Sequence, residues 1–580
     1  MRASCSKRRA LRFALSATAA AVLASGASSA LADGKHGIGQ SGEQKNMRRV
    51  GHVDLQGRAS YHPNFIRYPD GRVIAFAGTH SSAGATDSNG PKPNTLKPGS
   101  PPEFNGTMIV DITNPRKPVE KFHIPGPAAG GGGAQTQSNR LCLGSDLPGG
   151  TPGKVYLMRN VQTNNLAVSG YEVWDVTNVT SPTLVGAMRN LRNTHKLWWE
   201  CNTGIAYLPG SKGAPAPQWR QGQSMVVVDW SKPAAPLYLR TFGLPGGQPG
   251  ATGANSTSLH GPISAHEHPN ASGKVARGAG VDDVIGNRLY LAWGVGDDGV
   301  LQILDRKKLL PTTHGGTWNG LRPDDPMVDD LLEPQVSVLY MSPDQGGHTS
   351  FPMFGLMPKS YGNFTEFQTR DIVLLASEST ADRCQEAPHW SFVVDVTVEN
   401  SKTAPPGTRV QPNVWQGPMV LSTMSVDPRR GEKYPRGNYC TRGARFGVHS
   451  SEENFRNPYY GRVTFLAYFT GGVRAWDIRE PQAPVEVAFY VPESNANTDS
   501  DGYMTNNLEV DNRGFIIAVD RNGAGMDILK LCGKAKRIGL GRDTDIPGHR
   551  HDDDDDDDCD DDHDRHDHHD RDDHHDKGRR

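Results

Sequence analysis

No G-x-S-x-G elbow, no H-E-x-x-H and no P-loop occurs in the 580 residues, which excludes the commonest serine-hydrolase, zinc-protease and nucleotide-binding readings. The glycine run Gly130 to Gly133 lacks the strand and helix that a dinucleotide site needs. Beyond residue 32 no segment approaches the roughly 18 consecutive apolar residues of a membrane-crossing helix. A basic excess is missing too. Residues 549–580 hold 16 Asp against 6 Lys and Arg, a balance of −10, and the rest of the chain carries +8. Five of those positive charges lie in the first 32 residues. The body is nearly neutral, which argues against a nucleic-acid binder.

What the chain has is a repeated phrase: an apolar strand ending in Asp, a proline-bounded turn, then another apolar strand. It reads MIVDITNPRKPVEKF at Met108, YEVWDVTNVTSPTLVGAM at Tyr171, MVVVDWSKPAAPLYLRTF at Met225 and LQILD at Leu301. It continues as FVVDVTVENSKTAPP at Phe392, VRAWDIREPQAPVEVAFYVP at Val473 and, truncated, MDILKL at Met526. Four or five mostly β-branched residues make a strand too short to be a buried helix. The Asp side chains (Asp111, Asp175, Asp229, Asp305, Asp395, Asp477) can accept N–H bonds from the following turn. Prolines such as Pro115, Pro118, Pro481 and Pro484 fit only turns and edges. The phrase is therefore the last hairpin of a sheet, ending on its outer edge.

Successive Asp positions stand 54 to 90 residues apart, room for a four-stranded sheet with variable loops. Serial sheets of that size indicate a propeller. Seven upstream inner segments can be recognised, from YHPNFIRYPDGRVIAFAG to NNLEVDNRGFIIAVDRNG. After MDILKL an outer strand is missing, while RRVGHVDLQG at 48–57 stands alone. Pairing the two would seal a ring and remove its open edges. The expectation is an all-β, seven-bladed β-propeller closed by an N-terminal strand. It spans 46–532, after a flexible segment 33–45 and before a disordered acidic, His-rich tail at 533–580.

The phrase [LV]-x-[VI]-[VW]-D-[IV]-[ST]-[DN]-P-x-x-P-V resembles the LVIVD repeat of exported bacterial and archaeal β-propeller proteins. The resemblance covers most of 48–531, with Lys530 in place of Asp in the last unit. It implies a fold and an extracytoplasmic address, and no known reaction. The N-terminus agrees: Lys7, Arg8 and Arg9, an apolar stretch from Leu11 to Leu23, and Ala30-Leu31-Ala32 read as a signal peptide over 1–32. Export permits disulfides. Six cysteines follow the signal (Cys142, Cys201, Cys384, Cys440, Cys532, Cys559) and allow 15 pairings. Cys142 with Cys201 and Cys384 with Cys440 are preferred, because each pair falls in adjacent blades.

The tail HRHDDDDDDDCDDDHDRHDHHDRDDHHDKGRR has almost nothing to bury. Its histidines (His549, His551, His563, His566, His568, His569, His574, His575) interleave with carboxylates and offer weak, multiple sites for divalent metal such as zinc, copper or nickel. A solubilising polyacid is the plainer reading.

Other histidines stand at the starts of inner strands: His62, His195, His260, His348 and His449. In a propeller those positions converge on the central channel. Gln135 or Gln137 takes the place in the second unit, and Asn506 or Asn507 in the seventh. Glu200, Glu267, Glu452 and Glu453 are nearby acids, and His266 and His268, flanking Glu267 on a strand, would share a face. Converging imidazoles can hold a transition metal with an open position for hydrolysis or oxidation. The plainer reading is that they are polar channel residues that follow from the repeat. The function expected is an exported binding or interaction module for an unknown protein or surface ligand, with a metal-capturing tail; the alternative is a metalloenzyme, hydrolase or oxidase, with a His-ligated metal in the channel.

Overall fold

The computed structural model describes residues 43–80, 91–127, 135–276, 283–295, 298–358, 369–399, 417–429, 438–498 and 502–543. The expected signal peptide, and the expected tail beyond residue 543 with all eight of its histidines and Cys559, lie outside these residues.

The chain is an all-β propeller of successive antiparallel sheets. The first sheet is Ser60–Arg67, Val73–Thr79, Gly106–Asp111 and Val119–Pro125, each strand paired with the next. The same meander recurs from Asn139–Leu143 to Thr183–Arg189, from Trp198–Trp199 to Leu237–Phe242, from Leu259–Ser264 to Gln335–Tyr340 and from Gly347–Leu356 to Met419–Met424. Leu191–Arg192 and Ser211–Lys212 pair as a separate two-stranded sheet, and the other strands form one nine-stranded sheet, whose two parts meet at the single pair Phe469↔Thr505. In it the early strand Met47–Val53 pairs antiparallel with the late strand Met526–Leu531.

The repeated phrase has a physical counterpart in every unit that carries its Asp. The Asp Oδ1 accepts the N–H two residues on: Asp111 from Thr113, Asp175 from Thr177, Asp229 from Ser231, Asp305 from Lys307, Asp395 from Thr397 and Asp477 from Arg479. This Asx turn closes the hairpin between third and fourth strands. One or two residues before each of these Asp the pairing register slips by one, as at Ile109/Val110 and Ala475/Trp476. A bulge there strengthens the strand twist.

The second strands Val73–Thr79, Val155–Val161 and Val463–Phe469 are buried along their whole length, whereas the outer strand Val119–Pro125 begins exposed. Each Val, Ile or Leu so buried contributes about 1.5–3 kcal/mol. Between sheets the contact is apolar with charged staples. Arg306 in the fourth unit donates to both Glu200 carboxylate oxygens of the third at 2.5 and 2.7 Å. The disulfides Cys142–Cys201 and Cys384–Cys440 link adjacent units as expected. They suit an oxidising compartment. Among the described residues no helix is long and apolar enough to cross a membrane.

Three local expectations are corrected. Glu43–Lys45, placed in the flexible N-terminal segment, is a strand paired with Val485–Val491, and Arg442 donates to Glu43 at 2.8 Å. Residues after 532 are not uniformly without structure: Gly533–Gly539 is a helix with Ala535 and Ile538 buried, and the Arg462 Nε–H donates to the Gly539 carbonyl at 2.8 Å. Ala265–Glu267 is a 3₁₀ turn rather than a strand, because the Ser264 hydroxyl caps it by accepting the His266 N–H. The rings of His266 and His268 accordingly part company. His266 Nδ1 meets the Gly286 carbonyl, and His268 packs against Phe354 and Phe455.

Candidate metal centre in the propeller channel

Four of the five sequence-selected channel histidines come together. Each enters from a different unit, at or just before its inner strand: His195 before Trp198–Trp199, His260 in Leu259–Ser264, His348 in Gly347–Leu356 and His449 in Phe446–Ser451. Their ring centroids step round the channel at 4.4, 3.6 and 4.1 Å. The first unit contributes Tyr61, whose hydroxyl lies 3.1 Å from the Nε2 atoms of His195, His260 and His348. His195 Nε2 and His260 Nε2 are 2.7 Å apart.

The far side of each ring decides which nitrogen faces inward. His195 Nδ1 lies 2.5 Å from Gln137 Oε1, an oxygen that also accepts from the Asn160 amide. His260 Nδ1 contacts the His348 carbonyl at 3.1 Å, and His449 Nδ1 the Asn506 carbonyl at 2.6 Å. These oxygens can only accept, so the three Nδ1 atoms carry the protons. Their Nε2 lone pairs are turned to the centre. Metal-binding histidines are oriented in this manner by an outer acceptor on the other ring nitrogen. His348 Nδ1 meets the Thr349 hydroxyl at 2.8 Å, which leaves its tautomer open.

Burial is nearly complete. His348 and His449 are fully buried, Tyr61 is 2 % exposed and His195 8 %. Burial, reinforced by neighbouring Lys196, pushes the His195 imidazole down to about 3. Burial first, then the neighbouring imidazoles and Lys196 for His260 and His348 and the Arg521 and Arg445 guanidiniums for His449, hold these three well below the ordinary imidazole range. The rings are therefore neutral at physiological pH, the state that ligates metal. Two inward lone pairs 2.7 Å apart repel each other, a repulsion that a cation held between them would relieve.

Above this layer lies Glu378, which the sequence did not single out. Its Oε1 is 3.6 Å from His449 Nε2 and its Oε2 3.9 Å from His348 Nε2. Together His260, His348 and Glu378 offer one donor atom each within 4.8 Å of one another. Burial raises the Glu378 carboxyl, opposed by Arg445 at 3.1 Å and by Arg521. His80 stacks on Tyr61 at 5.0 Å.

His62 is placed elsewhere. It sits one layer below, its Nε2 3.5 Å from Glu509 Oε1 and 3.8 Å from Glu453 Oε2. These three also have metal-ligand proximity. However, Glu453 is already paired with both Lys196 and Arg140. Two carboxylates and two cations balance there, so the floor cluster reads as a buried charge network. It opens to a cleft of about 410 Å³ lined by Arg140, Trp198, Glu453, Phe455 and Glu509. The other sequence-selected acids are absorbed by structure. Glu200 serves Arg306 and Ser264. Glu267 accepts the Cys201 N–H, and burial raises it to about 7. Glu452 accepts the Phe465 N–H and the Thr464 hydroxyl, and burial raises it to about 8.

No family profile and no curated protein sequence matches the chain. Solved structures similar in shape include the β-propeller domain of Cps50 (Swd1) from Myceliophteria thermophila, at 11 % identity and a TM-score of 0.39, covering 83 % of this chain and 98 % of that one. Sqt1 from Chaetomium thermophilum matches at 11 % identity and 0.37, over 84 % and 99 %. Hydrazine synthase from Kuenenia stuttgartiensis matches at 10 % identity and 0.40, over 82 % and 96 %.

Proposed function

We propose that this chain is an exported metalloenzyme, an oxidase or hydrolase, built on a seven-bladed propeller of the LVIVD-repeat kind, with one transition-metal ion held in the channel by His195, His260 and His348. The observation that carries this reading is the pair of inward Nε2 lone pairs on His195 and His260, fixed by outward Nδ1–H bonds to Gln137 and to the His348 carbonyl, with His348 Nε2 turned to the same Tyr61 hydroxyl at 3.1 Å. Imidazole donors suit zinc, copper and nickel. Such an ion supplies Lewis acidity or redox chemistry to a bound molecule. Glu378 stands beside His348 and His449 as the residue that can take up or return a proton. Supporting the ring reading, Met47–Val53 supplies the fourth strand beside Thr505–Val510, Phe515–Asp520 and Met526–Leu531. The acidic His-rich tail, from its composition, is a second and weaker place for divalent metal. The alternative, a binding module for a protein or surface ligand, draws on the aromatic and charged cleft at the channel floor.

The two readings separate on metal content. Elemental mass spectrometry is run on protein purified without an affinity tag, as the full mature chain and as a chain ending at Asp543, beyond the packed helix Gly533–Gly539. The enzyme reading expects about one transition-metal ion per chain in the shortened form, lost in His195→Ala. Metal that departs entirely with the tail supports the binding module.

A further inference from the structure

The sequence drew attention to His62 of the YHPNF segment, but its neighbour Tyr61 is the residue that reaches the imidazoles. The phenol has one proton and faces three nitrogens at 3.1 Å. Two of those nitrogens, on His195 and His260, present lone pairs because their Nδ1 atoms hold the ring protons. One O–H can satisfy only one of them. At least one contact at 3.1 Å therefore sets oxygen against nitrogen with no proton between, which is unfavourable in a buried site.

Donors gathered this closely are what a cation at the centre would reconcile. A tetrahedral ion about 2.0–2.1 Å from four N or O donors holds those donors about 3.3–3.4 Å apart. Four of the six donor–donor edges, three from the Tyr61 oxygen and one between His195 and His260, are 3.1, 3.1, 3.1 and 2.7 Å, all shorter than that. We infer that Tyr61 is the fourth protein ligand of the channel metal, bound as phenolate, so that the centre is a three-histidine, one-tyrosinate site. This deepens the metal-centre reading and rests on it. Loading breaks the phenol O–H bond and forms an oxygen–metal bond, and the proton leaves to solvent. Nothing is oxidised or reduced. His449, whose inward nitrogen has no hydrogen-bond partner, and Glu378 then border the remaining side, where a fifth ligand would come and go. An anionic phenolate favours an oxidised, harder ion such as copper(II) or iron(III) over copper(I).

The test loads the full mature chain with copper(II) and records visible absorption, resonance Raman and electron paramagnetic resonance spectra. His195→Ala and the similarly sized His260→Gln serve as blanks that retain the tail, and circular dichroism checks that each variant is folded. The wild type minus either blank is expected to show a phenolate-to-copper charge-transfer band with tyrosinate ring modes. Tyr61→Phe should lose that band, keep a nitrogen-coordinated copper signal, and bind copper more weakly by more than the roughly 10- to 100-fold cost of an outer-shell change. A channel copper signal without the band, unchanged in Tyr61→Phe, overturns the ligand assignment and leaves the histidine site standing. Copper spectra indistinguishable between wild type and both blanks overturn the metal centre itself, and Tyr61 with it.

Discussion

Replacing Gln137 with leucine removes an acceptor that touches no metal, and so isolates what the outer hydrogen bonds do. In the folded chain the Gln137 Oε1 receives the His195 Nδ1–H at 2.5 Å and an Asn160 amide N–H at 3.2 Å. Both donors are fully or nearly fully buried. With leucine they have no acceptor, and each orphaned donor costs about 1–3 kcal/mol of folding stability. His195 is then free to place its proton on the inward nitrogen. The expected loss of channel-metal affinity is the 10- to 100-fold typical of outer-shell changes, about 1.4–2.7 kcal/mol. Gln137→Glu keeps an acceptor for both donors and makes the imidazole a better ligand, so its affinity should equal or exceed that of the wild type. Competition against a chromophoric chelator of known affinity measures both variants, and the tail, common to all, cancels. If Gln137→Leu lowers the thermal midpoint while binding metal as tightly as the wild type, the outer bonds are packing interactions and the orientation argument fails.

Acid should weaken the second unit in a defined window. Burial pushes the Glu172 carboxyl up, but Arg159 and Arg189 outweigh it and hold the group at about 2, below its unfolded value of 4.5. The stability it contributes, about 3 kcal/mol, is therefore present above pH 4.5 and lost as pH falls from there towards 2. Denaturant unfolding of Glu172→Gln should show a loss of about 3–5 kcal/mol at pH 7, from leaving buried Arg159 unpaired, and a flatter acid limb. An acid limb identical to that of the wild type refutes the assignment. Cys142→Ser with Cys201→Ser opens a 59-residue loop and should cost about 2–4 kcal/mol. An unchanged unfolding midpoint under oxidising conditions would count against a stapling role.

Much of the architecture was legible because a repeat constrains the same local physics many times. The strand before each Asp, the Asx turn and the outer hairpin recur at Asp111, Asp175, Asp229, Asp305, Asp395 and Asp477. The preferred cysteine pairs followed from adjacency of the units that hold them. The candidate site was legible by position but not by side chain. Neighbouring residues on a strand face opposite ways, and which of Tyr61 and His62 faces the imidazoles depends on the register slip between Ser60 and Pro63. That slip has no sequence signature. Glu378 follows a second strand rather than starting an inner one, outside the repeating pattern that picked out the histidines. The helix Gly533–Gly539 was hidden because only Ala535 and Ile538 mark its buried face, too few for a periodic signal.

The central claim is that the channel holds a metal ion among His195, His260 and His348, and anomalous diffraction tests it most directly. Crystals of the full mature chain, grown from protein purified without an affinity tag, are measured above and below the absorption edge of whichever metal the elemental analysis finds. The account predicts one strong anomalous peak in the channel, bounded by the three inward Nε2 atoms. A channel free of anomalous density, in crystals whose bulk metal is accounted for elsewhere, would contradict it.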